Sequence, residues 1–171
     1  MRIEHDSLGA VEIPDKVWWG PQTERSRHNF TTGPQMPMAV IRGLIQVKLA
    51  AAIVNGNTGS ISQSISAAIQ EAAQQLLTLS DDELAQNFPL HVYQTGSGTQ
   101  TNMNVNEVLA HLASQHLDEP VLPNDHVNCG QSSNDTFPTA MHMAGYAAGQ
   151  KVITALNELI DQLEAKQVAY M

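Results

Sequence analysis

Two stretches of short polar side chains contain the residue types that could bind a small anion. The first begins at Thr95 and reads TGSGTQTNMNVNEV, with hydroxyl and amide residues throughout and no Lys or Arg. The second occupies residues 131–135 and reads QSSND. Each precedes a segment of helical periodicity, and a helix N-terminus presents unpaired N–H groups and a dipole that favours an anion. Because Gly96 and Gly98 let the backbone approach a ligand closely, the pattern predicts a site for a carboxylate or a phosphate.

The same residues also have a purely structural interpretation as helix N-caps and turn formers. The residue types alone leave both interpretations open. A phosphate loop is disfavoured because TGSGTQTN lacks the Gly-Lys-Ser/Thr ending of that motif. Hydroxyl and amide donors without a lysine suit a small carboxylate better. They are poor proton acceptors near neutral pH, so we predict no catalytic residue in either stretch.

The composition limits the class of partner. Lys and Arg total 8 against 17 Asp and Glu, and the formal net charge of -9 argues against a general nucleic-acid binder. The single cysteine, Cys129, excludes an internal disulfide and indicates a reducing compartment. The charged N-terminus lacks a signal core, and no apolar run approaches the roughly 18 residues of a membrane span. We therefore expect a soluble cytoplasmic protein without membrane contact.

No metal centre is expected from the histidines or the cysteine. His111 and His116 fall on different faces of a predicted helix, which makes shared metal binding unfavourable. His126 lies in the second polar region and is interpreted as structural. Cys129 has no basic partner nearby in sequence, so we interpret it as a packing residue rather than a nucleophile.

Hydrophobic periodicity predicts a mainly α-helical fold with one short β element. A strand pair turns around Gly9, a short helix follows Trp18-Trp19-Gly20, and Ser80 with Glu83 forms a capping box. The other predicted helices run from Pro37 to Asn55-Gly56, from Ser62 to Leu77, from about Asn104 onward, and from Pro138 to the last residue.

The last predicted helix indicates a second domain. Its apolar residues follow a heptad pattern, at Val152, Leu156, Leu159 and Leu163. A helix with such a stripe needs partner helices to cover it. We therefore divide the chain into a small N-terminal helical domain, residues 1–137, and the start of a central helical bundle, residues 138–171.

The two polar stretches resemble those of class II fumarase, in the fumarase/aspartase superfamily. The similar segments are QTGSGTQTNMNVNEV, and PNDHVN followed by QSSNDTFPTAMH. The opening RIEHDSLGAVEIP and WWGPQTERS are similar as well, so the resemblance runs over essentially all 171 residues. Aspartate ammonia-lyases of the superfamily tend to carry Ser-Thr-Asn where this chain has Ser132-Ser133-Asn134.

The resemblance implies reversible hydration of fumarate to (S)-malate without a metal or organic cofactor. It also implies a homotetramer around a helical bundle, with each active site drawn from three subunits. Negative charge builds on the substrate carboxylate during the reaction, and donors aimed at it lower the barrier. By motif position the substrate-binding residues are Ser97, Gly98, Thr99, Asn102, Ser132, Ser133 and Asn134, of which Asn102 is the weaker candidate.

Two parts of the family pattern do not occur in these 171 residues. They are the Gly-Ser-Ser-x-Met-Pro-x-Lys-x-Asn loop with the catalytic serine and the Thr-His segment with the activating histidine. We therefore expect an N-terminal portion of the enzyme that is inactive alone. The family's accessory dicarboxylate site has a His before Pro-Asn-Asp, where this chain has Leu122. Asn124 and Asp125 remain, but the missing His and a missing upstream Arg put that site in question.

Two alternative functions stay open at this point. The complete protein would be an aspartate ammonia-lyase if the superfamily likeness is correct but the substrate is an amino acid. The chain would be a helical assembly module without activity if its long apolar stripe only drives association.

Overall fold

The computed structural model describes residues 1–170 and contains a β-hairpin and six α-helices. Strands β1 (Arg2–Asp6) and β2 (Gly9–Ile13) pair antiparallel, which confirms the strand pair predicted around Gly9. Gly9 has a φ of 113°, a conformation that favours glycine. The remaining elements are α1 (Pro21–Asn29), α2 (Met38–Thr58), α3 (Gln63–Thr78), α4 (Asp81–Ala85), α5 (Thr99–Ser114), a π-helical turn (Pro123–Val127) and α6 (Ser133–Tyr170).

The core is built from α2, α3, α5 and the first turns of α6. Local signals set several of its boundaries. The Ser62 hydroxyl accepts from the Ile65 N–H and starts α3, and Ser80 forms the predicted capping box with Glu83. Gly59, with a φ of 76°, ends α2 one residue after Thr58, slightly beyond the predicted stop. The prediction of a mainly α fold with a small β element is confirmed.

Helix α2 corrects the expectation that no apolar run is long enough to span a membrane. Its 21 residues are long and apolar enough by length and composition alone. One such helix is weak evidence for a membrane, because the core helix of a soluble protein has the same character. Ile41, Leu44 and Ile45 pack in the core, which accounts for the composition of α2.

Helices α5 and α6 begin earlier than predicted, at Thr99 and Ser133 rather than near Asn104 and at Pro138. Much of the first polar stretch is therefore helical. Thr and Asn are weak helix formers, but burial overrides that preference because their side chains find partners inside the protein. The buried polar residues of this helix are Thr101, Asn102, Asn104, Asn106 and Glu107.

Helix α6 is 38 residues long, which corresponds to roughly 57 Å. It packs against α2 and α5 through its first turns, where Phe137 and Ala140 are buried. Its heptad residues, Val152 through Leu163, are between 52% and 59% exposed. The division at residues 137 and 138 stays a prediction, and α6 runs through it without interruption.

Candidate functional site

Two hydroxyl-bearing segments that are distant in sequence meet at the starts of α5 and α6. The Ser97 Oγ lies 2.8 Å from the Thr99 Oγ1. The Thr99 Oγ1 lies 3.0 Å from the Ser133 Oγ, across 34 positions of sequence. Thr99 is exposed and the two serines are half-buried, so these three hydroxyls reach solvent. We call them the hydroxyl row.

Gly98 holds the hydroxyl row together through its backbone and its lack of a side chain. It is the N-cap of α5 with a φ of 66°, and its N–H donates to the Thr95 carbonyl at 2.9 Å. A Cβ at this position would lie 2.2 Å from the Phe137 ring. Only glycine lets the start of α5 approach α6 this closely, so Gly98 and Phe137 determine the distance between Thr99 and Ser133.

Ser132 and Asn134 complete the start of α6. The Ser132 carbonyl accepts from the N–H groups of Asp135 and Thr136, and its hydroxyl accepts from the Asn134 N–H at 3.2 Å. Ser132 therefore has the structural role of a cap as well as an exposed hydroxyl. Asn134 is exposed beside Ser133. The sequence-predicted residues of both stretches thus lie together around the hydroxyl row.

Asn102 lies behind the hydroxyl row, not in it. It is 3% exposed, and its Oδ1 accepts from the Thr136 Oγ1 at 3.1 Å. Its Nδ2 donates to the Asn128 Oδ1 at 3.1 Å. Both ends of this amide therefore have protein partners, and they join α5 to α6 and to the loop before α6.

Two cavities border the hydroxyl row. One, of about 360 Å³, is lined by Gly96, Gly98, Phe137, Met141 and neighbouring side chains. The other, of about 160 Å³, lies between α1 and the start of α5 and is lined by Thr99. Thr99 is the member of the hydroxyl row that lines one of these cavities, so its hydroxyl faces space that a small ligand can enter.

Lys48 is the charged residue near this site that sequence reasoning missed. It is 0% exposed, and its Nζ donates to the Asn128 Oδ1 at 2.8 Å and to the Gln131 Oε1 at 3.0 Å. Burial lowers the pKa of the Lys48 amine to about 7. The signal was present in the sequence, because Lys48 follows Ile41 and Leu44 at helical spacing on an otherwise apolar face.

The buried carboxylate of Glu107 has a structural role. It accepts backbone N–H groups from Gly20 at 2.9 Å, Gln22 at 2.8 Å and Thr23 at 3.0 Å, and so caps the N-terminus of α1. Burial raises the pKa of the Glu107 carboxyl, and these hydrogen bonds oppose the rise. The three donors account for this buried acid without a catalytic function.

The accessory-site residues Asn124 and Asp125 lie on the π-helical turn and are exposed. The Leu122 N–H donates to the His126 Nδ1 at 3.0 Å, so His126 stabilises this turn as expected for a structural residue. Among residues 1–170, no hydrogen bond connects Asn124 or Asp125 to the hydroxyl row.

The fold is shared with a family of lyases. Residues 9–171 match the family model described as Lyase, and the chain belongs to this lyase family. It is 49% identical to class II fumarate hydratase of Staphylococcus aureus (strain COL), over 98% of this chain and 37% of that protein. It is 50% identical to class II fumarate hydratase of Rickettsia bellii (strain RML369-C), over 96% of this chain and 37% of that protein. The chain thus spans about 37% of the length of these curated relatives.

Solved structures show the same fold. Recombinant class II fumarase from Schistosoma mansoni superposes with a TM-score of 0.78 at 45% identity, covering 84% of this chain and 31% of that chain. Native fumarate lyase:delta crystallin from Brucella melitensis superposes with a TM-score of 0.86 at 38% identity, covering 96% of this chain and 38% of that chain.

Proposed function

We propose that the chain carries part of the dicarboxylate site of a fumarate hydratase, which interconverts fumarate and (S)-malate. The observation that carries this proposal is the 3.0 Å contact between the Thr99 and Ser133 hydroxyls, which joins two polar segments into one surface. Similarity to two proteins named class II fumarate hydratase supports it. Arg25 lines the 160 Å³ cavity together with Thr99, but its guanidinium is paired with Asp6. Directed hydrogen bonds would therefore provide most of the selectivity for a carboxylate.

The proposed ligand contacts come from both helix starts. Ser97, Gly98 and Thr99 would bind from the first segment. Ser132, Ser133 and Asn134 would bind from the second segment, with Asn102 behind them as a support. When a proton leaves the carbon beside a carboxylate, negative charge moves onto that carboxylate. Donors that are already in place stabilise this charge without further reorganisation.

The chain would bind substrate but not move the proton. Its 171 residues contain neither the Thr-His segment nor the Gly-Ser-Ser loop of the family pattern, so the chain alone should show no hydratase activity. The proposal requires no metal or organic cofactor. An accessory dicarboxylate site at Asn124 and Asp125 stays a prediction, and Leu122 in place of the family's His argues against it.

The complete enzyme would be a cytoplasmic homotetramer in which copies of α6 cover one another's apolar stripe. The described part of α6 supports this assembly, because its heptad residues are exposed in the single chain. Nucleic-acid and membrane partners are not part of the proposal.

The two alternatives are less well supported. Aspartate ammonia-lyase would need relatives of that activity, whereas the curated relatives described above are named fumarate hydratase. A helical assembly module would not need hydroxyls from two distant segments to meet at the surface. Ligand specificity separates these alternatives from hydration.

An NMR titration of the chain with fumarate, (S)-malate and L-aspartate tests the proposed function. We expect fumarate and malate to shift the amide signals of Gly98, Thr99, Ser133 and Asn134, and aspartate to shift them less. Thr99→Val should suppress the shifts, whereas the matched control Thr32→Val, at an exposed position, should not. Equal response to aspartate would favour the ammonia-lyase, and no response to any dicarboxylate would favour the assembly module.

A further inference from the structure

We propose that Lys48 is a positioning residue that holds the polar segment 131–134 in its ligand-binding conformation from inside the protein. This inference rests on the proposed function, because segment 131–134 is the second half of the proposed dicarboxylate site. Its structural part can be tested without any ligand.

Lys48 lies at a buried position, where a lysine lowers the stability of the folded state. It is 0% exposed near the middle of α2, and no acidic side chain among residues 1–170 forms an ion pair with it. A buried amine without a counter-ion destabilises the folded state unless hydrogen bonds compensate. Both side-chain acceptors of Lys48, Asn128 and Gln131, belong to the loop that leads into α6.

The side-chain oxygen of Asn128 accepts hydrogen bonds from residues of two helices, α2 and α5. Its Oδ1 accepts from Lys48 at 2.8 Å, from Asn102 at 3.1 Å and from Asn106 at 3.2 Å. This convergence fixes which end of the Asn128 amide points inward. Its Nδ2 then donates to the Gln131 carbonyl at 3.2 Å. Lys48 thus helps to orient the group that binds the loop backbone directly before Ser132.

Gln131 is the second contact between Lys48 and the loop. Its Oε1 accepts from the Lys48 Nζ at 3.0 Å, and its Nε2 donates to the Val127 carbonyl at 2.9 Å. Without the amine, this Oε1 would lose its protein donor and the side chain would lose its fixed orientation. Because Gln131 is adjacent to Ser132 in the chain, its release would loosen segment 131–134 and separate Ser133 from Thr99.

The hydrogen-bond count agrees with this arrangement. An uncharged amine has two N–H hydrogens, and Lys48 has two side-chain acceptors. The lowered pKa of Lys48 is consistent with a role that depends on donated hydrogen bonds rather than on a full positive charge.

The ligand-free test is amide hydrogen exchange in Lys48→Met and in Gln131→Met, with exposed Lys16→Met as the matched control. The amides to follow are Cys129 and Gln131, which donate to the His126 and Asn128 carbonyls. We expect each test variant to accelerate their exchange by about tenfold or more, while amides of α3 keep their protection. The control should exchange as the wild type does. Unchanged exchange at Cys129 and Gln131 in both test variants would overturn the inference. If Lys48→Met does not fold, Gln131→Met decides the question. Gln131 is half-buried, and its replacement removes the same Lys48–Gln131 hydrogen bond.

A double-mutant cycle on fumarate affinity tests the functional part. Lys48→Met should weaken fumarate binding less in the Gln131→Met background than in the wild-type background. The two changes share the loss of the Lys48–Gln131 hydrogen bond, and only the Lys48–Asn128 bond is then left to lose. A general loss of stability would instead give additive effects, which would contradict positioning. If the wild type binds no fumarate, the proposed function fails, while hydrogen exchange still decides whether Lys48 orders the loop.

Discussion

The Thr99 and Ser133 hydroxyls lie 3.0 Å apart although 34 positions separate them in sequence. Each belongs to the first turn of a helix, so their contact brings two helix N-termini to one place. The side-chain hydroxyls of both termini are thereby in contact. Such a convergence of uncharged donors suits a carboxylate and explains how a chain with a formal charge of -9 could bind a dianion.

Gly98→Ala should destabilise the protein by about 1–3 kcal/mol, because the new Cβ meets the Phe137 ring and the φ of 66° is unfavourable for alanine. Urea unfolding measures the change. Gly96→Ala is the matched control, since a Cβ there meets nothing within 4 Å and the loop is the same. Equal stability of the two variants would contradict the close approach of α5 and α6.

The pH dependence of stability should report Lys48. Burial lowers the pKa of its amine from 10.5 to about 7, so between these values the unfolded chain binds the extra proton. The destabilisation of the folded state by the buried charge of Lys48 is therefore fully present below pH 7 and disappears as the pH rises towards 10.5. Relative to Lys48→Met, the wild type should gain stability over this window, by at most about 1.4 kcal/mol per pH unit.

Chemical denaturation of both proteins at several pH values gives this difference. Lys16→Met, at an exposed position, is the control and should show no such slope relative to the wild type. A constant difference between wild type and Lys48→Met from pH 7 to 10.5 would mean that Lys48 titrates like an exposed lysine.

Glu107→Gln should destabilise the protein by about 1–3 kcal/mol, because an amide NH₂ would face backbone N–H groups that now donate to the carboxylate. Amide exchange in α1 should rise with the loss of this cap. Glu158→Gln on the exposed part of α6 is the control and should leave thermal stability unchanged. Retained protection of Gln22 and Thr23 in Glu107→Gln would contradict the capping role.

Leu156→Glu should weaken self-association, since it places a charge on the exposed apolar stripe of α6. We expect the dissociation constant to rise by about tenfold or more, measured by analytical ultracentrifugation. Asn157→Glu introduces the same charge beside the stripe and should have a smaller effect. If both variants associate as the wild type does, α6 is not the assembly surface.

Local sequence signals were sufficient for much of the fold. The hairpin at Gly9, the helix start at Ser62, the capping box at Ser80 and the long α6 are all confirmed. The start of α5 was placed too late, because Thr and Asn suggest a loop when their partners are unknown. Asn102 stays helical because it bonds to Thr136 and Asn128, which are distant in sequence.

In the candidate site, too, some features follow from the local sequence and others depend on contacts between distant segments. Ser97, Thr99 and Ser133 were predicted from their types and from family resemblance, and the structure places them in contact. The role of Lys48 could not be predicted in this way, because it depends on loop amides of Asn128 and Gln131 that only the folded chain brings near α2. Contacts between distant segments decide which polar side chains stay at the surface and which are buried as supports.

Calorimetric titration of fumarate into wild type, Thr99→Val, Ser133→Ala and the double variant tests the shared carboxylate site most directly. Each single change should weaken affinity by about tenfold, and the double variant should lose far less than the product of the two, because the hydroxyls are in contact and act on one carboxylate. Wild-type affinity in both single variants would contradict the account.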